Sequence, residues 1–263
     1  QNVRNSYNYF DFNNVSVGRK IFSAKFGVGI NEGDHFFAGF LIGKGQSSYL
    51  PLNTGEVSFR SKESNVVLEA DIRYKIAKNT IFDLILGKSS IQNEDLSFNA
   101  IKTSIKEIFS NFRSNALLAK LSTRVNPTNT NLSFTFRYID PFFKSFGTGF
   151  IRSDNMRYEA KLDQPISKKL RYTGMFRYEE DNLLRLMNYK NQFYSINNTI
   201  SFKIKRGVML RASYTPLFRN LTSETYSFKN KNSIITGVVT FIPRSRKTSS
   251  QFSILYNYYI VNT

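Results

Sequence analysis

The stretch MRYEAKLDQPISKKLRYTGMFRYEED, residues 156–181, alternates two kinds of side chain on both sides of a short basic break. Apolar residues fill the even positions from 156 to 162, and charged residues fill the odd positions from 157 to 163. After the break, apolar residues and one glycine fill the even positions from 170 to 178. Because successive side chains of a strand point to opposite faces, the stretch predicts a β-hairpin with one apolar and one charged face. The surroundings of each face then decide the class of protein.

Segments with this alternation continue along the whole chain and predict an all-β fold. A clear example is residues 252–260, where Phe, Ile and Tyr fill every second position. Twelve strands are predicted, at 15–30, 35–43, 64–76, 80–88, 115–125, 132–139, 151–164, 170–180, 193–204, 208–216, 233–242 and 251–261. The stretch NSYNYFDF is a candidate for a further strand at 5–12.

The connections between these segments alternate in length. Short connections are predicted at 31–34, 77–79, 126–131, 166–169, 205–207 and 243–250. Long connections are predicted between them, at 44–63, 89–114, 140–150, 181–192 and 217–232. Outer-membrane barrels have this plan, with short turns at one end and longer loops at the other. A soluble sandwich with Greek-key connections has no reason to alternate in this way.

The predicted charged face is more basic than acidic, as is the whole chain, which has 37 Lys plus Arg, 19 Asp plus Glu and a formal net charge of +18. The basic residues predicted to face a lumen are Lys25, Arg73, Lys75, Lys120, Arg124, Arg137, Arg157, Lys161, Arg171, Arg177, Lys203 and Arg211. The acidic residues on the same face are Glu69, Asp71, Asp83, Glu159, Asp163 and Glu179. Such a wall suits a wet or ion-paired interior better than a close-packed core. The sequence therefore predicts a transmembrane antiparallel up-and-down β-barrel of at least twelve strands.

Aromatic side chains near strand ends fit this interpretation, because outer-membrane barrels carry aromatic girdles at both water boundaries. The residues concerned are Tyr74, Tyr138, Phe142, Phe143, Tyr178, Phe193, Tyr194, Tyr214, Phe241 and Tyr256 to Tyr259. Tyr and Phe also favour strands in general, so this pattern alone does not indicate a membrane.

The direction of the strands predicts that the barrel is incomplete. If the short turns face the periplasm, the strand at 15–30 begins on the outer side and the strand at 251–261 ends there. Both ends of a complete barrel normally lie in the periplasm. We therefore expect one barrel domain over 1–263 that lacks closing strands at its C-terminal end, with fourteen or more strands in the whole barrel. The alternative is that the first turn is placed wrongly.

Residues 97–113 break the two-residue period and predict one short helix within a long loop. Apolar residues recur there every three or four positions, which forms a stripe along a helix. The stripe consists of Phe98, Ile101, Ile105, Ile108, Phe109 and Phe112. Ser97 is placed to cap the start of the helix. The helix is a candidate plug of the lumen, cover of the barrel mouth or docking surface for a partner, and the alternative is a helix that packs only on neighbouring loops.

Composition and motifs exclude several kinds of chemistry. The chain has no Cys and a single His, His35, so thiolate sites are excluded, and we expect no metal site and no cofactor. GKGQSS at 43–48 lacks the phosphate-loop spacing, and GVGINE at 27–32 lacks the third glycine of a dinucleotide motif. We expect no catalytic residues and no enzyme. The basic residues are spread over many strands, so lipid headgroups are expected partners and nucleic acid is not.

One part of the chain carries a set of recognisable motifs: a loop with Phe-Gly and an Arg-Asp pair, then Arg-Tyr-Glu-x-Lys-Leu, a basic turn, and Phe-x-Tyr before Asp-Asn. The residues are Phe146, Gly147, Arg152, Asp154, Arg157, Tyr158, Glu159, Lys161, Leu162, Phe176, Tyr178, Asp181 and Asn182. With these motifs, residues 142–184 resemble barrel segments of outer-membrane proteins from the Bacteroidota. The resemblance implies a bacterial outer membrane and assigns no catalytic or binding residues.

Two functions are expected for such a barrel. The first is a channel or porin whose basic lumen favours anionic solutes. The second is a barrel subunit that anchors or scaffolds a multi-protein outer-membrane assembly or secretion complex. The expected partners are the lipid bilayer, with lipopolysaccharide or phospholipid headgroups, and for the second function other outer-membrane proteins. A soluble β-sandwich is the third interpretation.

Overall fold

A computed structural model describes residues 2–3, 19–29, 33–48, 60–92, 97–110, 114–147, 153–183, 189–205, 207–223, 225–241 and 252–262. The strands are β1 (Asn2–Val3), β2 (Arg19–Gly29), β3 (His35–Ser48), β4 (Arg60–Ala77), β5 (Thr80–Gln92), β6 (Asn115–Val125), β7 (Thr130–Ile139), β8 (Asn155–Pro165), β9 (Leu170–Asp181), β10 (Tyr189–Lys205), β11 (Val208–Ser223), β12 (Ser227–Phe241) and β13 (Phe252–Asn262). One helix, α1 (Phe98–Ser110), lies between β5 and β6. The all-β fold, the twelve predicted strands and the single loop helix are confirmed. The candidate strand at 5–12 lies outside the described residues.

The strands follow one another through a single sheet in chain order, from β1 to β13. Each ladder with a known register is antiparallel. The chain therefore forms an up-and-down meander, as the alternating connections predict. The order begins at β1 and ends at β13, and within the described residues these edge strands are not paired with each other.

The predicted long connection at 217–232 is wrong, because strands fill most of it. β11 continues to Ser223 and β12 begins at Ser227, with Thr222 paired to Ser227 across the hairpin. Asn, Ser, Thr and Lys are frequent in this part of the chain, which is typical of a loop, yet polar residues also suit a hairpin with both faces in water. The connection at 44–63 is likewise shorter than predicted, since β3 and β4 extend into it.

The described chain divides into two compact units. Unit 1 comprises Gln1–Tyr74, Asp83–Leu118 and Tyr138–Asp154, and unit 2 comprises Lys75–Phe82, Ala119–Arg137 and Asn155–Thr263. Several strands contribute residues to both units, because the division cuts across strands and does not run between them. The single barrel domain stays a prediction.

The buried apolar cluster of unit 1 forms where residues 140–147, which we call the inner segment, fold over β3 to β6. Val67 and Phe143 belong to this cluster, and Leu41 and Ala116 pack against it. Leu41 lies opposite Val67 in the ladder between β3 and β4, so the two side chains share a face. The inner segment therefore covers one face of these strands.

Hydrogen bonds from strand side chains hold the backbone of the inner segment. Asn65 of β4 is fully buried, and its side-chain amide donates to the carbonyl oxygen of Lys144 at 3.0 Å. The Asn65 Oδ1 atom accepts from the backbone N–H of Phe146 at 3.0 Å. Ser89 of β5 accepts from the backbone N–H of Lys144, also at 3.0 Å. A buried loop needs such partners because its own backbone forms no ladder.

Helix α1 begins at a capped residue, as predicted. The backbone N–H of Ala100 donates to Ser97 Oγ at 3.1 Å, which satisfies a donor that the first helical turn leaves open. The described helix runs from Phe98 to Ser110, and residues 111–113 of the predicted 97–113, with Phe112, lie outside the described residues. Among the residues that the structure describes, no helix is long and apolar enough to cross a membrane.

Replacing Asn65 by Ala should release the inner segment. The change removes the bonds to Lys144 and Phe146 and leaves buried backbone groups without partners, at a cost of about 2 kcal/mol. Lys144 is exposed, so we expect trypsin to cleave after it roughly tenfold faster in the variant. The rate is measured by mass spectrometry of the released peptides. Asn99→Ala, at an exposed position of α1, is the matched control, and equal rates for both variants would contradict the assignment.

Candidate functional site

The register of unit 2 separates a charged face from an apolar face. Directly opposed residues of antiparallel strands share a face, and Arg157 of β8 lies opposite Glu179 of β9. Glu159 lies opposite Arg177 two residues further along. Tyr158, between Arg157 and Glu159, lies on the other face. The hairpin predicted from residues 156–181 is confirmed.

Most of the predicted basic residues of unit 2 lie on this charged face by the strand register. The others alternate with apolar residues along their own strand, which places them on the same face. In β8 to β11 the register places Arg157, Lys161, Arg171, Arg177, Lys203 and Arg211 there. Lys120 lies between Ala119 and Leu121, which line an apolar groove on the opposite face with Tyr158 and Phe176. Arg124, Arg137 and Lys75 take the corresponding alternate positions of β6, β7 and β4.

Three arginines of this face in unit 2 form ion pairs. The pairs are Arg157–Glu159, Arg171–Asp163 and Arg177–Glu179. Two of them join residues two positions apart on one strand, where side chains lie on the same face. The third joins neighbouring strands, with Arg171 Nε 2.5 Å from Asp163 Oδ1. Their charges largely cancel, so these arginines contribute little net positive potential.

Lys203 and Arg211, two basic residues at the short-turn end of β10 and β11, differ from these arginines in having no ion pair among the described residues. Lys203 lies opposite Met209, and Arg211 lies opposite Ser201, which makes Lys203 and Arg211 diagonal neighbours. In the described part of the chain, no carboxylate lies within ion-pairing distance of either side chain. Both are exposed. The positive charge of Lys203 and Arg211 is therefore not cancelled by an ion pair with any described residue.

The charged residues of unit 1 form a connected network. Lys25 Nζ lies 2.5 Å from Asp71 Oδ2 and 3.5 Å from Glu69 Oε1. His35 contacts the same Asp71 carboxylate at 3.4 Å, so the single histidine of the chain belongs to this network. Nearby, Arg73 Nε lies 2.5 Å from an Asp83 oxygen and joins β4 to β5. In the described residues, no three His, Asp or Glu side chains come together as a metal-ligand set.

A row of aromatic rings crosses the apolar face of unit 2. The ring centres of Phe136 and Tyr158 are 4.9 Å apart, and Tyr178 and Tyr194 follow on the next strands at 6.2 and 4.8 Å. Phe218 lies opposite Tyr194 on β11 and extends the row. Tyr178 and Tyr194 therefore lie side by side on neighbouring strands at the same height of the sheet, as the residues of an aromatic girdle do.

Some residues of the predicted girdle, among them Phe193 and Phe143, lie elsewhere. Phe193 is opposite Glu179 on the charged face, with the Arg177 guanidinium 5.8 Å from its ring centre. Phe143 is buried in the inner segment of unit 1. Position near a strand end does not indicate which face a side chain takes, and loop aromatics can fold back onto the sheet.

The charged face ends at β11. On β12, Val238 lies opposite Arg211 and is in turn opposite Leu255 of β13. Ile234 lies opposite Tyr259 in the same way. Sequence reasoning missed this change, although the run IITGVVTF carries consecutive apolar residues where earlier strands alternate.

The inner segment was also missed by sequence reasoning. Glycines on the charged-face side of the strands make room for its rings. A Cβ atom at Gly43 would lie 3.0 Å from the Phe146 ring, and one at Gly87 would lie 3.2 Å from the Phe143 ring. A glycine at a strand position where charged residues are otherwise found is the sequence signal for such a covering segment.

The predicted stripe of α1 divides between a buried and an exposed part. Ile108 is fully buried and Ile101 is half-buried, while Phe98, Ile105 and Phe109 are 82, 42 and 69% exposed. The buried side of the helix is completed by Ala100 and Ser104. Of the described residues of the predicted stripe, only Ile108 belongs to the buried side, because the sequence period cannot indicate which side of the helix the sheet covers.

Comparison with known proteins leaves the family open. No protein-family model matches the chain, and no curated protein matches it significantly. The resemblance to Bacteroidota outer-membrane proteins therefore stays an expectation. Arguments on function rest instead on the geometry of the two faces.

Arg177→Met should destabilise the protein more than Lys203→Met. Glu179 is 8% exposed and accepts a hydrogen bond from Asn155 at 3.1 Å, so replacing Arg177 removes one charged partner from a nearly buried carboxylate. We expect a loss of about 2 kcal/mol in the free energy of unfolding. Lys203 has no such partner, and its replacement should change that free energy by about 0.5 kcal/mol or less. Urea unfolding of the two variants measures both, and equal losses would count against the pairing.

Proposed function

We propose that this protein is a transmembrane β-barrel of a bacterial outer membrane, and that its charged face lines an aqueous lumen favouring anionic solutes. The apolar face meets lipid in this proposal. Lipid and its headgroups are then the first partners of the chain. The strands supply both the membrane anchor and the lumen wall.

The observation that carries the proposal is the exposure of large side chains on the apolar face. In unit 1, Phe22, Phe26 and Val28 of β2 are 63, 65 and 72% exposed, while Lys25 takes the opposite face. In unit 2, Ile200 of β10 is 51% exposed. Contiguous apolar surface of this kind is rare on soluble monomers and marks contact with a membrane or a protein.

A soluble sandwich has less support. It needs a second sheet over the apolar face. All strands within the described residues belong to one sheet, and large side chains such as Phe22, Phe26 and Ile200 on its apolar face are exposed. Contact with lipid removes this surface from water without a second sheet.

The aromatic row and the short turns agree with a membrane position. Tyr rings with an apolar body and a polar hydroxyl suit the boundary between hydrocarbon and water. At the opposite, short-turn end, Lys78, Lys168, Lys169 and Lys205 are exposed. Lysines at this level suit the phosphate groups of lipids.

The preference for anions rests on Lys203 and Arg211. Paired arginines cancel most of their own field, whereas cations without a carboxylate neighbour raise the local concentration of anions. The lumen is therefore expected to select by charge at its short-turn end.

A role in anchoring or scaffolding a multi-protein complex is the second candidate. It is favoured by β12 and β13, where Val238, Leu255 and Tyr259 put apolar side chains on the face that is charged elsewhere. Leu255 and Tyr259 are 60 and 61% exposed. A water-filled channel gives no reason for apolar residues there, whereas a protein contact does.

Lys203→Gln combined with Arg211→Gln should lower the anion preference of the reconstituted channel about twofold or more. Planar bilayers in a salt gradient measure the ratio of anion to cation permeability. Arg157→Gln with Glu159→Gln is the first control, because it removes an ion pair without changing the net charge and should leave the ratio unchanged. Lys102→Gln with Lys106→Gln is the second, because it removes the same charge from α1, outside the proposed lumen wall.

An unchanged ratio in the Lys203 and Arg211 variant would contradict their role in selectivity. Two results together would favour the scaffold. The reconstituted protein would conduct no ions, and detergent would extract it from native membranes together with other proteins in fixed proportion.

A further inference from the structure

Helix α1 and the inner segment lie on opposite faces of β5. Ser89 of β5 binds the inner segment, whereas its two neighbours in the strand, Lys88 and Ser90, bind α1. Lys88 Nζ donates to the carbonyl oxygen of Ile108 at 2.9 Å, and Ser90 Oγ donates to Glu107 Oε2 at 2.7 Å. Because neighbouring residues of a strand point to opposite faces, α1 lies on the apolar side of β5.

The contacts of α1 turn its only acidic residue inward. Glu107 also accepts a hydrogen bond from Gln92 at 2.6 Å, so its carboxylate is held by β5. Lys88 caps the C-terminal carbonyls of the helix, where a positive charge is favourable. The basic residues of the helix, Lys102 and Lys106, stay exposed. The outer surface of α1 therefore carries positive charge and no negative charge.

An apolar ridge runs along this outer surface. Phe98, Ile105 and Phe109 are spaced by seven and four residues and so lie on one side of the helix. They are 82, 42 and 69% exposed. Lys102 lies four residues after Phe98 and three before Ile105, so an ammonium group lies on the same side of the helix as the ridge.

We propose that α1 lies in the interface of the bilayer, with the ridge of Phe98, Ile105 and Phe109 among acyl chains and with Lys102 and Lys106 at lipid phosphates. The proposal rests on the proposed membrane position of the sheet and goes beyond it, because it assigns a lipid-binding role to a loop element. An in-plane helix with an apolar side and a basic border is the arrangement that binds phosphate-bearing lipid surfaces.

Continuity with the sheet favours lipid over a protein partner. Leu86 is 39% exposed and lies on the same face of β5 as Lys88, which binds the helix. Phe22 and Phe26 belong to the same apolar side of unit 1. If lipid covers these strand residues, the ridge of α1 extends the same surface toward the headgroups, where Lys102 and Lys106 meet phosphate.

The absence of Trp from the chain allows a direct test. Single tryptophans are introduced as Phe109→Trp on the ridge, Thr103→Trp on another exposed side of α1, and Phe26→Trp on β2. Each protein is reconstituted in vesicles of brominated phosphatidylcholine with phosphatidylglycerol, because bromine on the acyl chains quenches nearby Trp fluorescence. We expect strong quenching at Phe109→Trp and Phe26→Trp, and about twofold weaker quenching at Thr103→Trp.

The charge part of the proposal has its own variant. Lys102→Gln with Lys106→Gln, added to Phe109→Trp, should reduce the quenching in vesicles that contain phosphatidylglycerol and have little effect in phosphatidylcholine alone. Equal effects in both lipids would overturn the assignment of these lysines to lipid phosphate.

Failure of this inference and failure of the proposed function give different results. If Phe26→Trp is quenched and Phe109→Trp is quenched no more than Thr103→Trp, the helix does not enter the interface and the inference is overturned alone. Protection of Phe109→Trp from aqueous acrylamide in native membranes without lipid quenching would overturn it in favour of a protein partner. If Phe26→Trp is not quenched either, the membrane position of the sheet is contradicted, and the inference falls with it.

Discussion

Side-chain alternation in register from strand to strand is the constraint on which the structure depends. Lys25 lies opposite Gly39, which lies opposite Glu69, so one face stays the same through β2, β3 and β4. A slip of one residue would exchange the two faces of a strand. It would place charged groups among Phe and Ile, and it would separate Lys25 from Asp71. The apolar pattern and the ion pairs therefore specify the same register.

Ion pairing on the charged face limits what that face can do. Arg73, Arg157, Arg171 and Arg177 each meet a carboxylate, so the basic composition does not translate into a uniformly positive wall. Each pair joins two residues of one strand or of two neighbouring strands. The pairs stabilise the charged face where no apolar core covers it. Net positive charge is left to residues such as Lys203 and Arg211. The same division is the reason why the proposed preference for anions is assigned to a local site and not to the whole face.

The sequence predicted the features that follow from local periodicity. Strands β2 to β13, the meander, the charged face and the Ser97 cap all depend on neighbours within a few residues. The hairpin of β11 and β12 was misread, because a polar strand in water has the composition of a loop. The positions of α1 and of Phe143 depend on Lys88, Asn65 and other residues distant in sequence. No period indicates which face a loop folds onto, and ion pairs such as Arg177–Glu179 emerge only once register and rotamers are fixed.

The central claim is that the apolar face meets lipid and the charged face meets water. Because the chain contains no cysteine, single cysteines along β10 from 194 to 203 can each carry a nitroxide spin label in reconstituted membranes. Collision with oxygen and with a water-soluble nickel chelate is then measured at each position. The account predicts a two-residue period, with high oxygen and low nickel accessibility at 194, 196, 200 and 202, and the reverse at 197, 199, 201 and 203. Low accessibility to both reagents at the even positions would indicate a packed protein core and contradict the account.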